Sequence, residues 1–219
     1  MNSSRPVIRL ETPADYRAVE NLTREAFWNQ NVPGCDEHYL VHTMRDHADF
    51  IPELAFVLER DGVIIGNIMY TKARLIDREG NVKPCLTFGP ISVAPEHQRR
   101  GYGKMLIDHS FKAAAEMGYE AVVIFGNPDN YVARGFKSSR KYNVCLEGDR
   151  FPAALLVKEL KDGVLDGRRW YFHESSFGDA CADDEAVAAF DAAFPPKEKR
   201  WQPSQEEFYI HSHSSIDRG

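Results

Sequence analysis

No run of about 20 apolar residues occurs in the chain, so no segment reads as a membrane-spanning helix. No Cys-x-x-Cys occurs either. The four cysteines, Cys35, Cys85, Cys145 and Cys181, stand far apart, which argues against a zinc site or a redox pair. The leading residues Met1-Asn2-Ser3-Ser4-Arg5-Pro6 lack the apolar core of a secretory signal, so the expected compartment is the reducing cytoplasm. Positive charge is in deficit. A formal net charge of −6 argues against broad binding to nucleic acid or to an anionic membrane. No internal repeat or low-complexity segment is present. The 43% hydrophobic fraction over 219 residues is that of a globular protein able to bury its own core.

The local basic stretch falls in one place. Gln98-Arg99-Arg100-Gly101-Tyr102-Gly103-Lys104 follows the apolar run Leu86–Val93 and opens a helical pattern. A glycine turn between strand and helix presents backbone N–H groups and the positive end of the helix dipole, which suit a phosphate or pyrophosphate. Gly101 and Gly103 leave room for an anion to approach the main chain. A dinucleotide fingerprint would need a third glycine where Leu106 stands, and a phosphate loop would need Gly-Lys-Ser or Gly-Lys-Thr. Neither is present.

The hydrophobic periodicity predicts a strand at Val7–Leu10 and a helix capped by Thr12, Pro13 and Asp15 that runs to about Trp28. A second helix is expected from about Asp36 to Asp49. A hairpin follows, Ala55–Glu59 and Val63–Tyr70 about the turn Asp61-Gly62. After the strand Leu86–Val93, the helix Gly101–Met117 is expected to turn Leu106, Ile107, Ser110, Phe111, Ala114 and Met117 inward. Ala121–Phe125 reads as a buried strand, with a short helix near Asp129–Arg134 and strands near Tyr142–Glu147 and Ala154–Leu160. Beyond about Lys161 a strand at Arg169–His173, a helix at Asp183–Phe194 and a turn or two after Ser204 are expected. The aromatics Trp170, Tyr171, Phe172, Phe190, Phe194, Trp201 and Phe208 make this segment too apolar for a disordered linker.

The turn at Gln98, Gly101 and Gly103 resembles the Gln/Arg-x-x-Gly-x-Gly/Ala pyrophosphate signature of the GNAT superfamily of N-acetyltransferases. Val93-Ala94-Pro95 before it and Leu106 after it also fit. The order of elements, β-α-α-β-β-β-α-β-α-β-β, is that family's. The resemblance covers roughly Val7–Leu160. It implies an α/β fold with a mixed, mostly antiparallel sheet and one β-α-β crossover. The division it suggests is a catalytic domain over 1–160 and a C-terminal extension over 161–219, packed on the same domain.

The resemblance also implies a chemistry, acetyl transfer from acetyl-CoA to an amine that attacks the thioester directly. Ile91, Ser92 and Val93 would pair with the pantetheine. Gln98, Arg99, Arg100, Gly101, Tyr102, Gly103 and Lys104 would hold the pyrophosphate. In Gly126-Asn127-Pro128-Asp129-Asn130-Tyr131, Tyr131 matches the family's tyrosine near the coenzyme sulfur, with Asn127 and Asn130 beside it. A phenol there can protonate a departing thiolate; a purely structural place beside Phe136 is the alternative. Pro90 belongs at a bulge; in the resembling family a bulge on this strand aims a backbone N–H at the thioester carbonyl, and since Pro90 has none, Ile91 is the candidate donor to the developing oxyanion, with a plain bulge as the alternative. Many relatives carry a glutamate on the fourth strand, but Leu86–Val93 holds no acid. Asp36, Glu37, His38, His42, Glu206 and Glu207 remain as candidate bases, or a water chain alone. No metal is implied; His211 and His213 in the Ser-rich terminus read as surface residues. The partner expected is a small-molecule or peptide amine, with a homodimer plausible for the family. Two other readings stay open: a catalytically silent acyl-CoA sensor of the same fold, and a different nucleotide-binding α/β enzyme.

Overall fold

In the computed structural model, which describes residues 5–216, the first helix is started by an aspartate. Strand β1 (Val7–Leu10) leads through the single turn Pro13–Asp15 into α1 (Tyr16–Phe27). The Asp15 carboxylate accepts from the Thr12 N–H at 2.8 Å and the Thr12 hydroxyl at 2.7 Å. Arg9 of β1 donates two further bonds to it, at 2.7 and 2.9 Å. The cap anticipated at Thr12 therefore also ties strand to helix. Met1–Ser4, on which the expected absence of a signal core partly rests, lie outside the described residues.

The remaining elements are α2 (Glu37–Met44), β2 (Phe56–Arg60), β3 (Val63–Asp77), β4 (Val82–Val93), α3 (Tyr102–Glu116), β5 (Ala121–Phe125), α4 (Pro128–Tyr131), β6 (Lys137–Ser138), β7 (Val144–Cys145), β8 (Leu155–Glu159), β9 (Trp170–His173), α5 (Asp184–Asp191) and α6 (Pro203–His213). The strands hydrogen-bond in the order β1-β2-β3-β4-β5-β8-β6, and β9 pairs with β3 and β7. The β4–β5 and β7–β9 pairs are parallel, whereas β1–β2, β2–β3, β3–β9, β5–β8 and β6–β8 are antiparallel. This is the mixed, mostly antiparallel sheet that the resemblance implied.

Two compact units share these elements. The first takes in the chain up to Tyr70, Gly89–Ser110 and Ser176–Gln205; the second takes in Thr71–Phe88, Phe111–Ser175 and the chain from Glu206 on. Within the first unit, β1, β2 and the start of β3 form a meander whose tight turn has Asp61 at φ 54° and Gly62 at φ 78°. Two consecutive positive φ values are the signature of a type I′ turn, as Asp-Gly predicts. Val19 of α1 and Val41 and Met44 of α2 pack on Val57 and Met69. Residues 176–205 are bound into this unit. Arg24, 1% exposed, pairs with Asp191 of α5 at 2.6 Å. The Trp28 indole N–H donates to the Glu198 carbonyl at 2.9 Å.

Within the second unit, Ala121 and Val123 of β5 pack with Leu155 and Val157 of β8 and with Trp170 and Phe172 of β9. The last stretch of β3 alternates buried Ala73 and Leu75 with exposed Lys72 and Arg74, and pairs in register with β9. That pairing carries β3 to Asp77, well past the expected end at Tyr70. The Asp77 carboxylate then closes the turn, accepting from the N–H groups of Glu79 and Asn81 at 2.9 Å each.

Several expectations need correction. The second helix stops at Met44 instead of Asp49, because Asp46, His47 and Phe50 donate to carbonyls three residues back, which tightens the chain out of α geometry. Met117 lies past the end of α3 and is 44% exposed, so it is not on the inner face. The two-residue β6 is too short to leave a period in the sequence. The terminal helix α6 runs to His213, longer than the turn or two expected, and exposes Phe208, Tyr209 and Ile210 together, so it had no single apolar face to read.

Asp15→Asn should lower stability by about 1–2 kcal/mol at neutral pH through loss of a charged, largely buried hydrogen-bond acceptor. Arg9, foremost, holds the Asp15 carboxyl well below the usual carboxylate range. Its contribution is therefore present above the ordinary value near pH 4 and is lost as pH falls toward the lowered one. Thermal unfolding between pH 7 and pH 3 should show a shallower acid decline in the variant than in the native chain.

Candidate functional site

Strand β4 changes character along its length. Cys85, Leu86, Thr87 and Phe88 are all buried; from there burial alternates, with Pro90 and Ser92 inside and Ile91 and Val93 half-buried. The Gly89–Pro90 peptide bond is cis. The Ser92 hydroxyl is engaged, donating to Thr23 Oγ1 at 3.2 Å, so only its backbone is available to a ligand. The Ala94 N–H donates to the Ile65 carbonyl at 2.9 Å, which fixes the strand's end against β3. Gly66 allows this close approach, since a Cβ there would stand 3.1 Å from the Ser92 carbonyl oxygen and 3.0 Å from Leu106.

The turn that follows is built for an open helix end. Gln98 reaches back, its Nε2 donating to the Val93 carbonyl at 3.1 Å. Arg99 has φ 58° and Gly101 φ 87°, both left-handed. The Met105 N–H donates to the Gly101 carbonyl at 3.0 Å, the first bond of α3. The N–H groups of Gly101, Tyr102, Gly103 and Lys104 therefore have no acceptor within the helix. An added Cβ would meet nothing within 4 Å at Gly101 and only Val93 Cγ2, at 3.9 Å, at Gly103, so space stands open over the turn. Arg99 and Arg100 are exposed. Tyr102 turns to the hairpin, its hydroxyl accepting from Arg60 Nη1 at 2.8 Å, and Lys104 pairs with Asp108 along the helix. A cavity of about 400 Å³ beside the turn is lined by Arg60, Asp61, Val63, Ile65, His97 and Arg100.

In the second unit, Tyr131 ends the short helix α4. Its ring lies 5.7 Å from that of Phe88 and 5.6 Å from that of Phe136, and presses on Gly126, where a Cβ would come within 2.5 Å of it. Burial pushes its phenol up to about 12, so it holds its proton throughout the neutral range. Asn127 caps α4, its Oδ1 accepting from the Asp129 N–H at 3.0 Å, whereas Asn130 is exposed. A larger cavity in this unit, about 470 Å³ and lined by Lys83, Glu120, Arg168 and Trp170 among others, takes in none of the candidate catalytic or coenzyme-binding residues read from the sequence.

The candidate bases separate by environment. His38 is fully buried, its Nε2 lies 3.0 Å from Asp191 Oδ1, and burial pushes it down to about 4, which leaves it neutral. Its Nδ1 lies 3.5 Å from Cys35 Sγ. Burial raises the Cys35 thiol, which makes it a poor nucleophile. His42 is occupied by Glu20 at 2.9 Å. Glu206 and Glu207 are exposed on α6. Glu37 accepts from Asn31 Nδ2 at 2.8 Å and is raised to about 7 by burial and then by the charge of Asp36. One acid escaped the sequence reading altogether. Glu174, just past β9, is likewise raised to about 7 by burial, against a hydrogen bond with Thr87 that lowers it. Only the pairing of β9 brings it to β4, and no local motif marks it. His211 and His213 lie on α6, with His213 stacked on Tyr209 at 4.1 Å.

Residues 20–138 match the acetyltransferase (GNAT) family. The uncharacterized N-acetyltransferase YhbS of Escherichia coli K12 is 25% identical over 161 residues, spanning 74% of this chain and 91% of its own. The crystal structure of E. coli YhbS in complex with CoA superposes with a TM-score of 0.68 at 24% identity, over 80% of this chain and 92% of that one. A GNAT family acetyltransferase from Brucella melitensis in complex with acetyl-CoA gives a TM-score of 0.58 at 21% identity, over 79% and 97% of the two chains. At these identities the superpositions carry the fold.

The two glycines of the turn should respond differently to a methyl group. Gly101→Ala places alanine in left-handed backbone and should destabilise by about 1–2 kcal/mol. Gly103→Ala, with an ordinary backbone and a free site for Cβ, should be neutral or stabilising by up to about 1 kcal/mol. Urea unfolding of the two variants checks the difference.

Proposed function

The chain belongs to the acetyltransferase (GNAT) family, and from that premise we propose that it is an N-acetyltransferase moving acetyl from acetyl-CoA to an amine. The observation that carries the reading is the turn between β4 and α3, where the N–H groups of Gly101–Lys104, which lack acceptors within the helix, two exposed arginines and open space over Gly101 and Gly103 meet. The CoA and acetyl-CoA bound in the two related structures support the same donor. Acetyl-CoA supplies the acyl group already activated as a thioester.

The chain's own residues would divide the work. The N–H groups of Gly101–Lys104, aided by Arg99 and Arg100, hold the pyrophosphate. The backbone of Ile91, Ser92 and Val93 aligns the pantetheine, and the Ile91 N–H stabilises negative charge on the carbonyl oxygen. Tyr131, kept protonated by burial, gives a proton to the departing sulfur. Asn127 and Asn130 border that end of the site, although the Asn127 side chain is committed to its cap. The reading takes residues 1–160 as the catalytic domain and 161–219 as its extension. It places the enzyme in the cytoplasm, acting on a small-molecule or peptide amine without nucleic acid, membrane or metal. No helix among the described residues is long and apolar enough to cross a membrane.

Isothermal titration with acetyl-CoA, CoA and 3′-dephospho-CoA tests the donor. Binding in the micromolar range, weakened in an Arg99→Ala, Arg100→Ala double variant, is the expected result; no binding to any of the three overturns the reading. Tyr131→Phe should bind acetyl-CoA as the native chain does and lose about 10²-fold in kcat. Undiminished turnover in that variant would remove Tyr131 from the chemistry.

A further inference from the structure

An amine that attacks a thioester must first lose a proton, because alkylamines are protonated at neutral pH, as the lysine side chain is. The group that takes that proton needs a pKa near the working pH and a place on the nucleophile's side of the acyl carbon. β4 offers no acid between Leu86 and Val93. Glu37 and Glu174 are both raised to about 7, so geometry has to choose between them.

Glu37 sits in the first turn of α2, bound to Asn31 and beside the charge of Asp36. Glu174 follows β9 directly and bonds to the hydroxyl of Thr87 on β4. The next residue of β4, Phe88, packs on Tyr131 at 5.7 Å between ring centroids. Successive side chains on a strand point to opposite faces. Thr87 and Glu174 therefore meet on one face of β4, and Phe88 and Tyr131 on the other. A carboxylate and a protonated phenol thus flank a single step of the strand. That is the arrangement in which one group serves the nucleophile and the other the leaving group. Glu174 as a residue is exposed, although protein around its carboxyl is close enough to penalise the charge.

We infer that Glu174, delivered to β4 by the C-terminal strand β9, is the general base of the transfer; the inference rests on the acetyltransferase reading. Glu174 takes one proton from the substrate ammonium and leaves a neutral amine. The nitrogen lone pair forms the new C–N bond at the acyl carbon, and the C–S bond breaks with its electron pair going to sulfur. Tyr131 protonates that sulfur, and the second proton shed by nitrogen restores the phenol through solvent. The proton on Glu174 leaves to solvent, so the balance is one ammonium and one thioester giving one amide, one thiol and one free proton. What acts on the Glu174 carboxyl is burial, which raises it, and the hydrogen bond with the uncharged Thr87 of β4, which lowers it.

The test compares the native chain with Glu174→Gln, Thr87→Val and Glu37→Gln, using acetyl-CoA and a panel of small primary amines and lysyl peptides, followed by thiol release. The base is active when ionised, so native kcat/KM should rise with pH through about 7. Glu174→Gln should keep the native Kd for acetyl-CoA, lose about 10²-fold or more in kcat and lose that acidic limb. Thr87→Val removes a donor to the ionised carboxylate, so its limb should move to higher pH while kcat above the limb is retained. A Glu174→Gln variant that keeps both kcat and the limb, or a limb that disappears with Glu37→Gln instead, overturns the inference and leaves the transferase reading standing. A native chain that fails to bind acetyl-CoA, or binds it and acetylates none of the amines, overturns the transferase reading itself.

Discussion

The first N–H groups of a helix have no acceptor inside it, and the chain either caps them or leaves them for a ligand. At α4 the chain caps one of them through Asn127, whose Oδ1 accepts from the Asp129 N–H. At α3 it places glycines instead, and the candidate site depends on that choice. The donors must also be held still. Ala94 bonded to Ile65, Gln98 bonded to Val93 and the left-handed backbone at Arg99 and Gly101 fix the route from β4 into α3. In the proposed reading, affinity for the pyrophosphate would come from backbone geometry that is already in place, with the arginines adding charge at the rim.

Burial sets the protonation states around this frame. It keeps the Tyr131 phenol protonated, the His38 imidazole neutral and the Cys35 thiol inert, and it lifts Glu37 and Glu174 into the range where a carboxylate can exchange protons at neutral pH. A low-dielectric surrounding acts with opposite sign on acids and bases. The same desolvation that would disable a histidine base therefore prepares a glutamate for that role.

The segment beyond residue 160 contributes to both units. In the first, Asp191 answers the buried charge of Arg24, and Glu198 accepts from the Trp28 indole. Removing that stretch would strand an arginine that is 1% exposed without its partner, a costly state. In the second, β9 extends the pairing of β3 and brings Glu174 to Thr87.

The sequence by itself determined whatever depends on neighbours along the chain. Asp61-Gly62 specified its turn through backbone preference, Thr12 to Asp15 specified a helix start, and the continuous apolar run Ala121–Phe125 specified a buried strand. The spacing of Gln98, Gly101 and Gly103 specified the turn that opens α3, because backbone geometry at a helix start is local. Tyr131 was singled out through the family motif that ends at Phe136. Only the tertiary structure decided what depends on partners distant in sequence. It gave β3 its length through β9, committed Ser92 to Thr23 and Asn127 to a cap, buried His38 against Asp191, and set Glu174 beside Thr87. The physical reason is that side-chain ionisation and proximity are properties of the surroundings, and those are assembled by long-range pairing that leaves no period in the sequence.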